Sequence, residues 1–120
     1  MKDNTAELIQ TAIYGIQEKK GNDIVTIDLS KINGAVTNHY IVCHGNSTTQ
    51  VEAIANAVEK EIKDKLEELP WHKEGDQNAE WILLDYVTTV VHVFLKEKRE
   101  FYNLEGLWAD AEQEQISEAI

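Results

Sequence analysis

Much of what this chain could have been is excluded by what it lacks. It carries one cysteine, Cys43, so it holds no internal disulfide framework, and a lone thiol fits a reducing compartment. One proline and six glycines in 120 residues are too few for a low-complexity or disordered protein. Apolar runs fall well short of the roughly eighteen residues a membrane helix needs, and no basic stretch leads into an apolar leader segment. A soluble, cytoplasmic protein is expected. Arginine occurs once, as Arg99, and 11 basic residues face 22 acidic ones for a net charge of −11. Nucleic-acid binding rests on Lys and Arg neutralising phosphates, so direct dependence on RNA or DNA is disfavoured. An acidic surface favours a basic protein partner and speeds the encounter; the plainer reading is solubility.

What is present suffices for a single domain with one core: 42% hydrophobic residues in 120. Leu8, Ile9, Ala12, Ile13 and Ile16 recur at helical spacing within Asn4 to Lys20, with Asn4 or Thr5 to start the helix and Gly21 to close it. Asp23 to Leu29 and Asn38 to His44 read as strands, separated by a turn over Ser30 to Val36. Ser47 followed by Gln50 is a capping box that opens a long amphipathic helix carrying Val51, Ile54, Ala55, Val58, Ile62, Leu66 and Leu69. Pro70 ends it at or before Leu69. A solvent loop is expected from Pro70 to Ala79, then two strands, Trp81 to Tyr86 and Thr89 to Leu95, paired as a hairpin. Lys96 to Ala111 reads as a short helix or tight turns folded back on the sheet, and the acidic segment after Asp110 as a fraying tail. The expected order, α-β-β-α-β-β-α, makes a small α/β domain: a mixed sheet flanked by helices over residues 1–111, with an acidic tail at 112–120.

No catalytic set emerges. His39 and Cys43 share one face of their strand and His44 takes the other, but a structural zinc site needs paired short ligand spacings that are absent. His92 lies inside the Val90–Phe94 run without a second histidine or a carboxylate at fixed spacing. Gly45-Asn46-Ser47 sits between strand and helix, where backbone amides can hold a phosphate; with no P-loop lysine or G-x-G-x-x-G, the ordinary reading is a turn capped by Ser47. No G-x-S-x-G elbow surrounds Ser47, and no D-x-D pair exists for a two-metal site. Neither a metal nor a cofactor is expected. The aromatics are the richer signal. Trp81, Tyr86, Arg99, Phe101, Tyr102 and Trp108 lie within 28 residues and are the residue types that dominate binding hot spots. Alternation puts Trp81, Leu83 and Asp85 on one face and Ile82, Leu84 and Tyr86 on the other. Phe101 and Trp108 are expected to be packed, Tyr86 and Tyr102 exposed.

These segments resemble a known family. WILLDY, VVHVF and REFYNLEGLWADA, with DIVTIDL and HYIVCHGNSTTQVEAIA upstream, are similar in order and spacing to the bacterial ribosome-silencing factors, the RsfS or Iojap-like proteins, from about Leu8 to Ala111. The resemblance implies a nucleotidyltransferase-like α/β fold without catalytic acids. It further implies a non-enzymatic translational repressor that binds the large ribosomal subunit through a small β-barrel protein (uL14 type) on the subunit-joining face and blocks association with the small subunit. Family contact positions fall on Trp81, Tyr86 and Tyr102, with acidic neighbours such as Asp85 toward a basic partner, and Arg99 completes the expected partner-binding set. Members commonly form homodimers. Three departures stand out: His39 precedes Tyr40 where the family has Asp, His44 replaces a Thr, and Val87-Thr88 replaces a hairpin Gly-Asp. Because a β-branched residue resists positive φ, a different turn or a longer loop is expected there. Two other readings fit the residues: a nucleotide-binding or nucleotidyltransferase-like domain using the Gly45–Ser47 turn, and a subunit of another assembly docking through the hairpin.

Overall fold

Helix α1 (Thr5–Glu18) and helix α2 (Thr48–Leu66) lie together on one side of the sheet, in a computed structural model that describes residues 4–75 and 77–117. Their apolar stripes face inward, and they approach so closely that a Cβ on Gly15 would come within 2.9 Å of the Val58 Cα. The capping box forms as expected. Ser47 Oγ accepts from the Gln50 amide at 3.1 Å, and Gln50 Oε1 accepts in return from the Asn46 amide at 2.8 Å. α2 ends at Leu66, where Glu67 turns left-handed (φ 56) and its amide bonds back to the Lys63 carbonyl.

The sheet is mixed and six-stranded. Its strands are β1 (Asn22–Asp28), β2 (His39–Gly45), β3 (His72–Glu74), β4 (Trp81–Asp85), β5 (Thr89–Leu95) and β6 (Glu112–Ile116), in the spatial order β3-β4-β5-β2-β1-β6. The central pair, β2 and β5, is parallel with Val42 beside His92, and every other pair is antiparallel. α2 is the crossover that such a parallel pair requires. After β5 the chain turns directly into α3 (Lys96–Tyr102) and α4 (Leu104–Leu107), on the side of the sheet away from α1 and α2.

Two expectations about irregular segments are corrected. The Pro70–Ala79 segment is not wholly loop, since His72–Glu74 pairs with β4 as an edge strand. Nor does the acidic tail fray over Glu112–Ile116, which pairs antiparallel with β1, Ile24 opposite Ile116 and Asp28 opposite Glu112. Both strands are short, polar and at sheet edges, as suits an edge that must not recruit other strands.

Strand alternation divides the apolar residues between two faces. The helix-covered face holds Leu8, Ile16, Ile41, Val51, Ile54, Val58, Ile62, Ile82, Leu84, Val91 and Val93, all essentially inaccessible to solvent. The opposite face has a smaller buried group, Ile27, Leu29, Val42 and Phe94, partly roofed by Leu104 and Trp108 from the α4 region. Along β4 that second face is only partly covered, with Trp81, Leu83 and Asp85 half-buried.

Candidate partner-binding face

β4 and β5 place Trp81, Leu83 and Asp85 on the open face beside Val90, His92 and Phe94, and β2 adds Tyr40. The rings form a continuous ladder. Trp81 stacks on Phe94 with centroids 4.8 Å apart and meets Tyr102 at 4.7 Å. Phe101 stands edge-on to Tyr102 at 5.1 Å. On the other side of Phe94, His92 receives the edge of Tyr40 at 4.5 Å, and Tyr40 in turn meets Trp108 at 6.2 Å.

Trp81 and His92 are joined within the ladder by a hydrogen bond. Trp81 Nε1 donates to His92 Nδ1 at 3.1 Å, which requires that nitrogen to be unprotonated and leaves the imidazole hydrogen on Nε2. His92 is 3% exposed, and burial pushes its pKa down to about 4. Its indole hydrogen bond satisfied, Trp81 is left with an apolar ring to offer to a partner. Tyr102 is 46% exposed and Phe101 77%. A Cβ on Gly75 would collide with the Trp81 carbonyl, and Gly75 sits at φ 95; only glycine lets the preceding loop lie this close to the strand that carries Trp81. Beside Trp81 and Tyr102 lies a cleft of about 440 Å³, edged by Lys73, Glu74, Glu80 and Lys98.

Of the five residues expected to bind a partner, the structure brings Trp81, Tyr102 and Asp85 to one face, Asp85 lying some way along β4. It does not bring Tyr86 or Arg99. Tyr86 is 5% exposed and belongs to the helix-side core, as its place on the Ile82–Leu84 face of the strand dictates. Burial first, then the nearby Glu59 and Glu68, raise its phenol pKa, and the hydroxyl has no hydrogen-bond partner among the described residues. The expected exposure of Tyr86 is therefore corrected. Arg99 is 7% exposed and clamps the fold. Nη2 and Nε reach the two oxygens of Glu105 at 2.8 and 3.4 Å, while Nη1 donates to His44 Nδ1 at 3.0 Å and to the Asn22 carbonyl at 3.3 Å. It holds α3 against β1 and β2 and offers no guanidinium to a partner. Phe101, expected to be packed, instead projects outward, whereas Trp108 packs half-buried as expected. Sequence reasoning passed over Tyr40, His92 and Phe94 as members of this surface, although strand parity relative to Trp81 carried the signal.

The hairpin turn is of a different type, as expected, but Val87 does not avoid positive φ. Val87 takes φ 76 despite its β-branch, within a three-residue turn closed by Thr88 N–H donating to the Tyr86 carbonyl at 3.0 Å. That conformation is rare and strained for valine. Three further bonds hold it: Val87 N–H to Asp85 Oδ1, Thr37 Oγ1 to the Val87 carbonyl, and Tyr86 N–H to the Thr89 carbonyl, each 2.8 Å.

The remaining reactive side chains are committed to structure. Burial pushes the Cys43 thiol up to about 12, only partly offset by Arg99, so it is no nucleophile. His39 and Cys43 do share a face, as alternation requires. At the Gly45–Ser47 turn, the Gln50 side chain takes the Asn46 amide and bonds the Lys19 and Lys20 carbonyls through Nε2, so the would-be phosphate cradle is filled from within. Among the described residues no three His, Cys, Asp or Glu side chains gather closely enough to hold a metal ion, and no helix is long and apolar enough to cross a membrane.

Comparison with known proteins adds the family. A family model described as "Ribosomal silencing factor during starvation" matches residues 2–120. The chain is similar to the ribosomal silencing factor RsfS of Bacillus subtilis (strain 168), 40% identical over 111 residues that cover 90% of each chain. A mouse protein named for mitochondrial assembly of the ribosomal large subunit is 30% identical over 95 residues, covering 78% of this chain and 41% of that one. In three dimensions, a crystal structure of a Chromobacterium violaceum protein superposes with a TM-score of 0.81 at 36% identity, covering 87% of this chain and 85% of that one. Sequence and fold thus converge, and the chain belongs to the ribosomal silencing factor family.

Proposed function

We propose that this protein is a cytoplasmic translational repressor, a homodimer when free, that docks on the large ribosomal subunit through a β-barrel ribosomal protein of the uL14 type. By occupying the subunit-joining face it prevents association with the small subunit. Membership of the silencing-factor family and the large-subunit name of the mouse relative support a ribosomal target. The observation that carries the reading is the open aromatic ladder. Trp81 and Tyr102 present rings whose contact area is large and rotamer cost small, and Trp81's one polar atom is already bonded to His92. Occlusion needs affinity and bulk but no stabilised transition state, and regulatory family members are not known as enzymes. The net charge of −11 draws a basic ribosomal protein and repels the surrounding RNA.

The test is gradient co-sedimentation of the purified protein with separated subunits, followed by addition of the missing one. Binding to the large subunit alone, with loss of the joined-ribosome peak, is the expected result. A protein that stays at the top of every gradient at low salt contradicts the proposal.

A further inference from the structure

Exposed large hydrophobic residues are not scattered over this molecule. Phe101, Tyr102 and Leu107 belong to the α3–α4 end, Val36, Trp71 and Val87 stand at the tip of the β4–β5 hairpin, and Leu69 lies two residues before Trp71. At the tip they line a groove of about 370 Å³ together with Thr37, Asp85 and Val90. Val36 is 93% exposed, Trp71 76% and Val87 59%. Apolar side chains gathered around one groove mark an interaction site more often than isolated ones do.

Val87 strengthens the case. Glycine would take φ 76 without strain, yet a valine is held there by four hydrogen bonds and its side chain is turned to solvent. Strain maintained by its surroundings clusters where it serves function. The tip is also continuous with the aromatic ladder, because Trp81, Leu83 and Asp85 share one face of β4 over about 13 Å at ~3.3 Å per residue. Trp71 is pinned to the far end of that strand, its amide donating to the Asp85 carbonyl at 2.8 Å.

We propose that the hairpin tip is a second anchor on the same basic protein partner. The groove takes an apolar side chain, and a neighbouring lysine or arginine meets the Asp85 carboxylate. Asp85 is the one charged residue in the groove's lining among the described residues. A second copy of this chain is the poorer occupant, since it brings another −11 of charge and, around a two-fold axis, a second Asp85 against the first. The inference rests on the docking reading above.

The test measures affinity for purified large subunits together with thermal melting for the full chain and three variants: Val87→Gly, Trp71→Ser and Trp81→Ala. Val87→Gly removes the side chain and its strain at once. It should melt above the parent yet bind about fivefold more weakly, and Trp71→Ser should lose about tenfold, as hot-spot truncations do. If both tip variants bind like the parent while Trp81→Ala is weakened, the second anchor is refuted and the aromatic docking face stands. If Trp81→Ala also binds like the parent, the docking reading itself fails. Self-association of the parent that Trp71→Ser abolishes, without any change in subunit affinity, would assign the groove to a second copy and overturn the proposal.

Discussion

The two faces of the sheet are built from different chemistry. Beneath α1 and α2 the surface is aliphatic, with Ile41, Ile54, Val58, Ile82, Leu84 and Val93 shut away from solvent. On the other face a small aliphatic group (Ile27, Leu29, Val42) adjoins a run of rings, some buried (His92, Phe94), some half-buried (Trp81, Tyr40) and some exposed (Tyr102, Phe101). Branched aliphatics interlock into a core of one shape. Rings in edge and stacked contact, with the Trp81 indole N–H bonded to His92 Nδ1, make a surface that has area to give a partner. The first face holds the fold, and the second is the face proposed above to dock on a partner.

That division can be broken at graded cost. Ile54→Ala, deep under α2, should destabilise by about 2–5 kcal/mol in denaturant melts while the molecules that remain folded bind normally. Arg99→Ala leaves Glu105 without its partner and unties α3 from β1 and β2; a loss of about 3 kcal/mol is expected, with Glu105's partial contact with solvent keeping it modest. A change at Arg99 that weakened docking without lowering stability would show the clamp to be a contact residue after all.

Acid should act through the open face. His92 titrates at about 4 in the fold against 6.5 without it, so between these values the unfolded chain binds the extra proton. Its contribution is therefore unchanged above pH 6.5, and stability falls as pH drops below it, by on the order of 3 kcal/mol at pH 4. His92→Phe should flatten that slope in melts taken from pH 7 to pH 4. A slope equal to the parent's would place the acid sensitivity in other groups.

How legible this was from sequence depended on which interaction decided each element. Local rules were enough for the Ser47–Gln50 capping box and for the inside–outside division of Trp81, Leu83 and Asp85 against Ile82 and Leu84. The same alternation puts Tyr86 inside, and its hot-spot residue type was a weaker guide than its parity. β6 was illegible because Glu-Gln-Glu-Gln-Ile has little intrinsic preference for a strand; pairing with β1 and the packing of Ile116 on the core make it one. Arg99 looked like a hot spot by residue type. Its burial is matched by Glu105, His44 and the Asn22 carbonyl, groups brought from three separate segments, with Asn103 turning left-handed (φ 49) between α3 and α4. Val87 went furthest from expectation, since four tertiary and turn hydrogen bonds override a strong local preference.

The most direct test of the account is the affinity of Tyr102→Ala for isolated large ribosomal subunits, measured beside its melting temperature. Tyr102 is 46% exposed and touches the fold mainly through neighbouring rings. Binding should weaken by about 1–3 kcal/mol with melting nearly unchanged. A well-folded Tyr102→Ala protein that keeps full affinity would contradict the claim that the aromatic face is the docking face.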